Sequence, residues 1–221
     1  MKMHLLVIAD SLHYDAGLDS RQSYIDQFVQ QLERGGLEVV VTYHAPMALY
    51  TIAEVLERVP LRRYDLIILQ IANRHLRDSQ LVLRPTAGER IREHVLSWKF
   101  RVQSWLDQVR PLREVHHHLT RILETLRFHR HRVILMTPFP HREPVSGWLR
   151  RKGSELLKSE GHYRGFRVFD VQALIDSREE FFITGDRERL NAISHELIGR
   201  RLYDFYRTEP SITTGSLKQD S

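Results

Sequence analysis

Five short apolar runs, spaced by helix-like stretches, constrain this chain more than any other feature. They fall at 4–9, 37–42, 66–71, 132–137 and 166–171. Most are continuous rather than alternating with polar residues, the pattern of strands covered on both faces. Helix-like segments lie at 20–34, 51–58, 145–160 and 190–206, and Gly35-Gly36 supplies a C-terminal stop for the first. Such strand–helix alternation specifies a parallel sheet with crossover helices on its faces. The expected class is therefore α/β: a three-layer α/β/α, flavodoxin-like five-stranded parallel sheet, with an extended helical insertion after strand three. A length of 221 residues suits one such domain over 1–207. The tail at 208–221, "TEPSITTGSLKQDS", has no apolar periodicity and is expected to be flexible.

The insertion is a long helical segment over about 85–127. Ile91, Val95, Trp98, Val102, Trp105, Val109 and Leu112 recur in alternating steps of 4 and 3, a heptad-like seam. Pro111 is expected to end or kink that helix near Val109. A second helix over 112–127 then turns Val115, Leu119, Ile122, Leu123 and Leu126 inward. Packing on the sheet accounts for the seam. So does a helix that caps a site or docks a second copy, and the partner reading it supports is a homodimer through 91–112.

Composition narrows the function classes. There is no cysteine, which excludes disulfides and thiolate metal ligands. The net charge is +5, but acids and bases are interspersed along the helices; the densest basic stretch is "RFHRHR" at 127–132. No recognition motif accompanies it, so no nucleic-acid partner is expected. The first apolar run is too short for a signal-peptide core or a membrane span, so a cytoplasmic chain with no membrane partner is expected. His116-His117-His118 invites a metal reading, but successive helical residues point about 100° apart and cannot chelate one ion together. A flavodoxin-type cofactor would need a phosphate-cradling glycine loop, and none follows a strand. No metal or cofactor is expected.

In doubly wound sheets, sites form at the carboxyl ends of strands near the point where strand order reverses. Ser11 follows the first run in "IADSL". Asp and Ser are also ordinary turn residues, so that stretch alone decides nothing. Asn73 follows the third run in "LIILQIANRH", and Asp186 opens "TGDRERLNAISHELIGRRL". All three are expected at one edge of the sheet. A hydroxyl, an amide donor and a carboxylate are three of the parts that serine-based acyl transfer needs.

These blocks resemble those of the SGNH, or GDSL-type, hydrolases. The family's Gly-Asp-Ser-Leu appears as Ala9-Asp10-Ser11-Leu12, and its Gly-x-Asn-Asp as Ile71-Ala72-Asn73-Arg74. Its Asp-x-x-His block, with the Leu-Asn and Gly-His that follow, appears as Asp186-Arg187-Glu188-Arg189-Leu190-Asn191 and Ser194-His195. "TPFP" at 137–140 is similar to its post-strand-four sequence. The resemblance runs from about residue 4 to 206. It implies Ser11 as nucleophile and Asp186 as the catalytic carboxylate. It further implies an oxyanion hole of the Ser11 N–H, the Asn73 side chain and an N–H from the stretch "HAPMALYTIAEVL", where Ala48 or Leu49 stands for the family's glycine and Ala48 is the candidate carried forward. Asp10, Arg74, His75 and Arg189 would line the pocket.

One departure outweighs the rest: Arg189 stands where the family has its catalytic histidine. Arginine stays protonated and accepts no hydrogen bond, so it cannot take the serine proton. Losing a triad member removes a factor of about 10⁴–10⁶ in rate. Asp186 and Arg189, three residues apart, can instead form an ion pair. His13, His44, His75 and His141 follow expected strand ends and are candidate replacement bases; His195 reads as structural, pointing elsewhere. Two functions are therefore carried forward. One is an SGNH-type esterase or acyltransferase on acyl esters of carbohydrates or lipids, with an atypical or impaired triad. The other is an inactive SGNH-fold protein that binds a small anionic ligand through Arg74 and Arg189, or acts as a scaffold.

Overall fold

A computed structural model describes residues 2–9, 22–44, 47–71 and 110–208. The strands are β1 (Lys2–Ile8), β2 (Glu38–His44), β3 (Leu66–Gln70), β4 (Val133–Met136) and β5 (Arg167–Phe169). The helices are α1 (Tyr24–Arg34), α2 (Leu49–Arg58), α3 (Arg110–Leu126), α4 (Pro144–Tyr163) and α5 (Ala192–Thr208). All strand pairs are parallel, in the order β2-β1-β3-β4-β5. The register keeps the carboxyl ends level: Ile8 sits opposite His44 and Leu69, and Met136 opposite Gln70 and Phe169. Strand order reverses between β1 and β3, which creates the crevice where such sheets bind ligands.

Alternation along each strand divides the core in two. Met3, Leu5 and Val7 of β1, with Ile68, Ile134 and Met136, face Tyr24, Phe28 and Leu32 of α1 and Ile198 and Leu202 of α5. Leu6 and Ile8, with Ile67, Leu69 and Leu135, face Ile52 and Leu56 of α2, Leu119 and Leu123 of α3 and Leu157 of α4. The result is the expected three-layer sandwich. The apolar runs were continuous because each strand must satisfy both helical layers at once. Val115, Leu119, Ile122, Leu123 and Leu126 are all buried, as the inward face of α3 requires. Each such burial contributes roughly 1.5–3 kcal/mol before the entropy of ordering is counted.

Several boundaries differ from expectation. β5 is only three residues, because Gly165 (φ 73°) turns the chain into it and Asp170 ends it by accepting the Gln172 N–H at 3.1 Å. Thr208 belongs to α5 rather than to the tail, its hydroxyl donating to the Asp204 carbonyl at 2.8 Å. Residues 209–221, the seam at 91–109 and the dimer reading built on it lie outside the described residues. Of the three consecutive histidines, His116 approaches Glu160 of α4 at 3.3 Å, while the His117 and His118 rings meet edge-on at 5.3 Å and the His118 ring lies 6.4 Å from that of Tyr50 on α2. Among the described residues no helix is long and apolar enough to cross a membrane.

One close helix contact bears on the site. A Cβ on Gly199 of α5 would stand 2.4 Å from Gln27 Cβ and 2.7 Å from the Tyr24 carbonyl oxygen of α1. Only glycine allows that approach, which brings the first turn of α1 against His195.

Candidate active site

The crevice between β1 and β3 stands on a buried polar relay. Gln70, the last residue of β3 and 3% exposed, accepts the Tyr24 hydroxyl at 2.9 Å. The Tyr24 backbone N–H donates to Nδ1 of His195 at 3.2 Å. His195 is 1% exposed, and its ring stacks on Tyr24 and meets Phe139 edge-on. Burial pulls its pKa down to about 4, against a smaller opposing pull from Asp26. His195 is therefore a neutral core residue at pH 7. With Nδ1 accepting, its proton sits on Nε2, the wrong tautomer and the wrong place for a base at the cleft.

Asp186 tips a tight loop ahead of α5. Phe182 and Leu190 form an antiparallel bridge at its base, the Ile183 N–H donates to the Arg189 carbonyl, and Gly185 (φ 79°) makes the turn. The Asp186 carboxylate accepts three donors. Oδ1 receives the backbone N–H groups of Glu188 (2.7 Å) and Arg189 (2.8 Å), and Oδ2 receives Nε of Arg189 at 2.6 Å. Partial desolvation pushes its pKa up, but the two backbone donors and the Arg189 guanidinium outweigh that and hold it at about 2. The anticipated Asp186–Arg189 pair is thus formed. The carboxylate that would orient a histidine is committed to a cation.

This loop is braced from the segment after β4. The Arg142 N–H donates to the Arg187 carbonyl at 3.0 Å, and its side chain reaches the Asp186 carbonyl (3.4 Å) and Glu179 (3.1 Å). Arg150 of α4, 1% exposed, donates to Glu188 at 2.7 Å and to the Pro140 carbonyl at 3.0 Å. The brace carries Asp186 to the carboxyl ends of β4 and β5. Sequence reasoning missed it, because an arginine in a helix is by default a surface residue. Its signal was spacing: Gly147, Arg150, Ser154, Leu157 and Gly161 form one buried stripe along α4.

Ala48 is the N-cap of α2, with φ −63° and ψ 151°. These are ordinary values for any residue, so glycine is not needed to present an N–H there. The first N–H groups of α2 have no use inside the helix, and a helix start favours negative charge. Of the candidate replacement bases, His141 follows β4 on the same edge. Its Nδ1 accepts the Glu143 N–H at 2.9 Å, which puts its proton on Nε2 and makes that nitrogen a donor rather than an acceptor. His44 closes β2.

Neither a protein-family model nor any curated protein matches the sequence. Solved structures do match its backbone. An acetyl xylan esterase from Geobacillus stearothermophilus superimposes with a TM-score of 0.65 at 16% identity, over 94% of this chain and 96% of that one. A member of the lipolytic G-D-S-L family from Veillonella parvula gives 0.60 at 13% identity, over 93% and 99%. A psychrotrophic esterase from Pseudoalteromonas sp. gives 0.58 at 12% identity, over 92% and 96%. The fold is that of the SGNH/GDSL-type hydrolases. Within this SGNH-type frame Ala48, Asp186 and Arg189 are described directly. Ser11, Asp10, Asn73, Arg74 and His75, with His13, lie outside the described residues. Ser11 comes three residues after the end of β1, and Asn73 three after the end of β3; these two strands pair with each other.

Proposed function

We propose that the chain acts on acyl esters in the crevice beyond β1 and β3, as an SGNH-type serine esterase or acyltransferase whose hydrolytic step is impaired. Ser11 is the nucleophile. The N–H groups of Ser11 and Ala48 and the Asn73 amide receive the oxyanion. The Asp186–Arg189 ion pair occupies the place of an Asp–His pair. The observation that carries this reading is the Asp186 carboxylate itself, turned in the loop before α5 to the residue three positions on, with arginine as the receiver. The consequence follows from proton inventory. Ser11 must lose its proton as its oxygen attacks the acyl carbon, and a guanidinium cannot take it. Without that acceptor Ser11 attacks slowly, at the cost of about 10⁴–10⁶ in rate that a missing triad member carries.

Hydrolysis of p-nitrophenyl acetate by wild type, Ser11→Ala and Arg189→His tests this. A histidine at 189 can donate through Nδ1 to Asp186 and present Nε2 to Ser11. The expected result is weak wild-type turnover that Ser11→Ala removes. Arg189→His should gain at least about 10²-fold, with a pH profile rising near the imidazole pKa of about 6.5. Equal rates for wild type and Ser11→Ala, together with no gain in Arg189→His, would overturn the reading.

A second reading rests on the fixed cation. Arg189 places permanent positive charge where the base would stand, on a side chain 40% exposed. A carboxylate or phosphate ligand can bind there without turnover. Labelling of wild-type Ser11 by a fluorophosphonate separates the two, because labelling requires an activated hydroxyl.

A further inference from the structure

At the opposite, amino edge of the sheet the surface carries two unusually exposed rings. Phe128 is 84% exposed and Tyr163 86% exposed. Phe128 lies in the 3₁₀ segment Arg127–Arg132 that leads into β4; Tyr163 ends α4 just before β5. The two loops touch, because a Cβ on Gly165 would meet the Arg130 side chain at 3.9 Å. Arg132 reaches across to the carbonyls of Arg62 (3.5 Å) and Tyr64 (3.4 Å), which joins the turn before β3 to the same surface. Segments 127–132 and 161–168 contain no acidic residue. Of the neighbouring acids, Glu124 and Glu160 are both taken up by Arg164, and Asp65, beside Tyr64, accepts the His4 N–H at 2.8 Å. Among the described residues Arg62, Arg127, Arg130 and Arg132 have no carboxylate partner. The local field is felt at His129, whose pKa is pushed down by burial and then by Arg132, His131 and Arg62.

Helix ends explain part of this. α3 and α4 both finish here, and basic residues complement the negative end of a helix. That does not explain two large rings held in water beside the cations. We propose that this amino edge is a docking surface for an anionic phospholipid membrane, with Phe128 and Tyr163 entering the headgroup layer and Arg62, Arg127, Arg130 and Arg132 meeting lipid phosphates. Interfacial anchoring needs this combination of protruding rings and a basic surround. Single-stranded nucleic acid is the competing polyanion. A base-stacking platform lies flat and shows one ring face, whereas Phe128 stands clear of the surface and the Tyr163 ring already has the Arg164 guanidinium over it at 5.8 Å. The sequence implied no membrane partner because its first apolar run is too short to span one; the exposure of the two rings is the added information.

Co-sedimentation of the full chain with sucrose-loaded vesicles tests the proposal. Vesicles of phosphatidylcholine with about one-third phosphatidylglycerol should pellet the protein, and pure phosphatidylcholine should not. Raising salt from about 0.1 M to about 0.5 M should weaken the binding. The pair Arg127→Ser with Arg130→Ser should lower partitioning by about 25-fold, near fivefold per arginine. The pair Phe128→Ala with Tyr163→Ala should lower it further at high salt, where the charge contribution is screened. Should circular dichroism show either pair unfolded, Arg130→Ser and Phe128→Ala alone carry the same comparison. Wild type left in the supernatant with anionic vesicles would overturn the proposal. So would wild-type binding by both variant pairs, or retention by a single-stranded oligonucleotide without retention by vesicles.

Discussion

The two edges of the sheet use arginine in different proportions. Three arginines that brace the carboxyl edge are paired: Arg150 with Glu188 at 2.7 Å, Arg189 with Asp186 at 2.6 Å and Arg142 with Glu179 at 3.1 Å. At the amino edge Arg164 alone takes up two acids, Arg132 donates to backbone carbonyls, and among the described residues Arg62, Arg127, Arg130 and Arg132 have no carboxylate partner. A paired arginine fixes a loop and contributes little field beyond it. An unpaired one leaves a potential that reaches about a Debye length, roughly 8–10 Å in ordinary buffer. The +5 net charge therefore says little until each cation is assigned to one use or the other.

Truncation should expose that division. Arg150→Ala has the largest expected effect of these truncations, a loss of about 2–3 kcal/mol, because it leaves the Pro140 carbonyl and the half-buried Glu188 carboxylate without this donor and empties a buried position. Urea unfolding measures it, and a loss under about 1 kcal/mol would dissolve the distinction between the edges. Acid should act next, through His195 beneath the crevice. Its pKa is about 6.5 in the unfolded chain and about 4 folded, so the unfolded chain binds more protons between those values. Stability is complete above pH 6.5 and should fall by about 3 kcal/mol as pH drops to 4. His195→Asn should flatten that window. Asp186 acts separately: its pKa drops from 3.8 to about 2, so its contribution persists to pH 4 and is lost only as pH falls toward 2. Arg142→Ala should cost about 1 kcal/mol, since Glu179 is largely exposed. At the amino edge, Arg127→Ser with Arg130→Ser should shift stability by no more than about 0.5 kcal/mol, read in the same denaturation series.

The fold was legible because its cause is short-range and repeated. Each strand is an apolar run, each covering helix has an apolar stripe, and Gly35-Gly36 or Gly165 marks an end. The Asp186–Arg189 pair was legible too, since opposite charges three residues apart in a turn have few other partners. The brace was not. Arg150 and Glu188 lie 38 positions apart, and nothing local reports that α4 and the Asp186 loop meet. Gln70, Tyr24 and His195 come from three elements, so their relay exists only after the sheet and two helices assemble. Exposure was equally hidden: the basic stretch at 127–132 does not report that its Phe128 is among the most solvent-facing rings of the described residues.

Under the proposed function, Ala48 is a signature that faded while its backbone persisted. A family fingerprint scores the letter at a position; an oxyanion hole uses the amide beneath it, which twenty letters less one can supply. Where the conformation needs no left-handed torsion, selection on that amide leaves the side chain free to drift. A chain built this way can slip below sequence recognition and still superimpose on esterases over nine-tenths of its length.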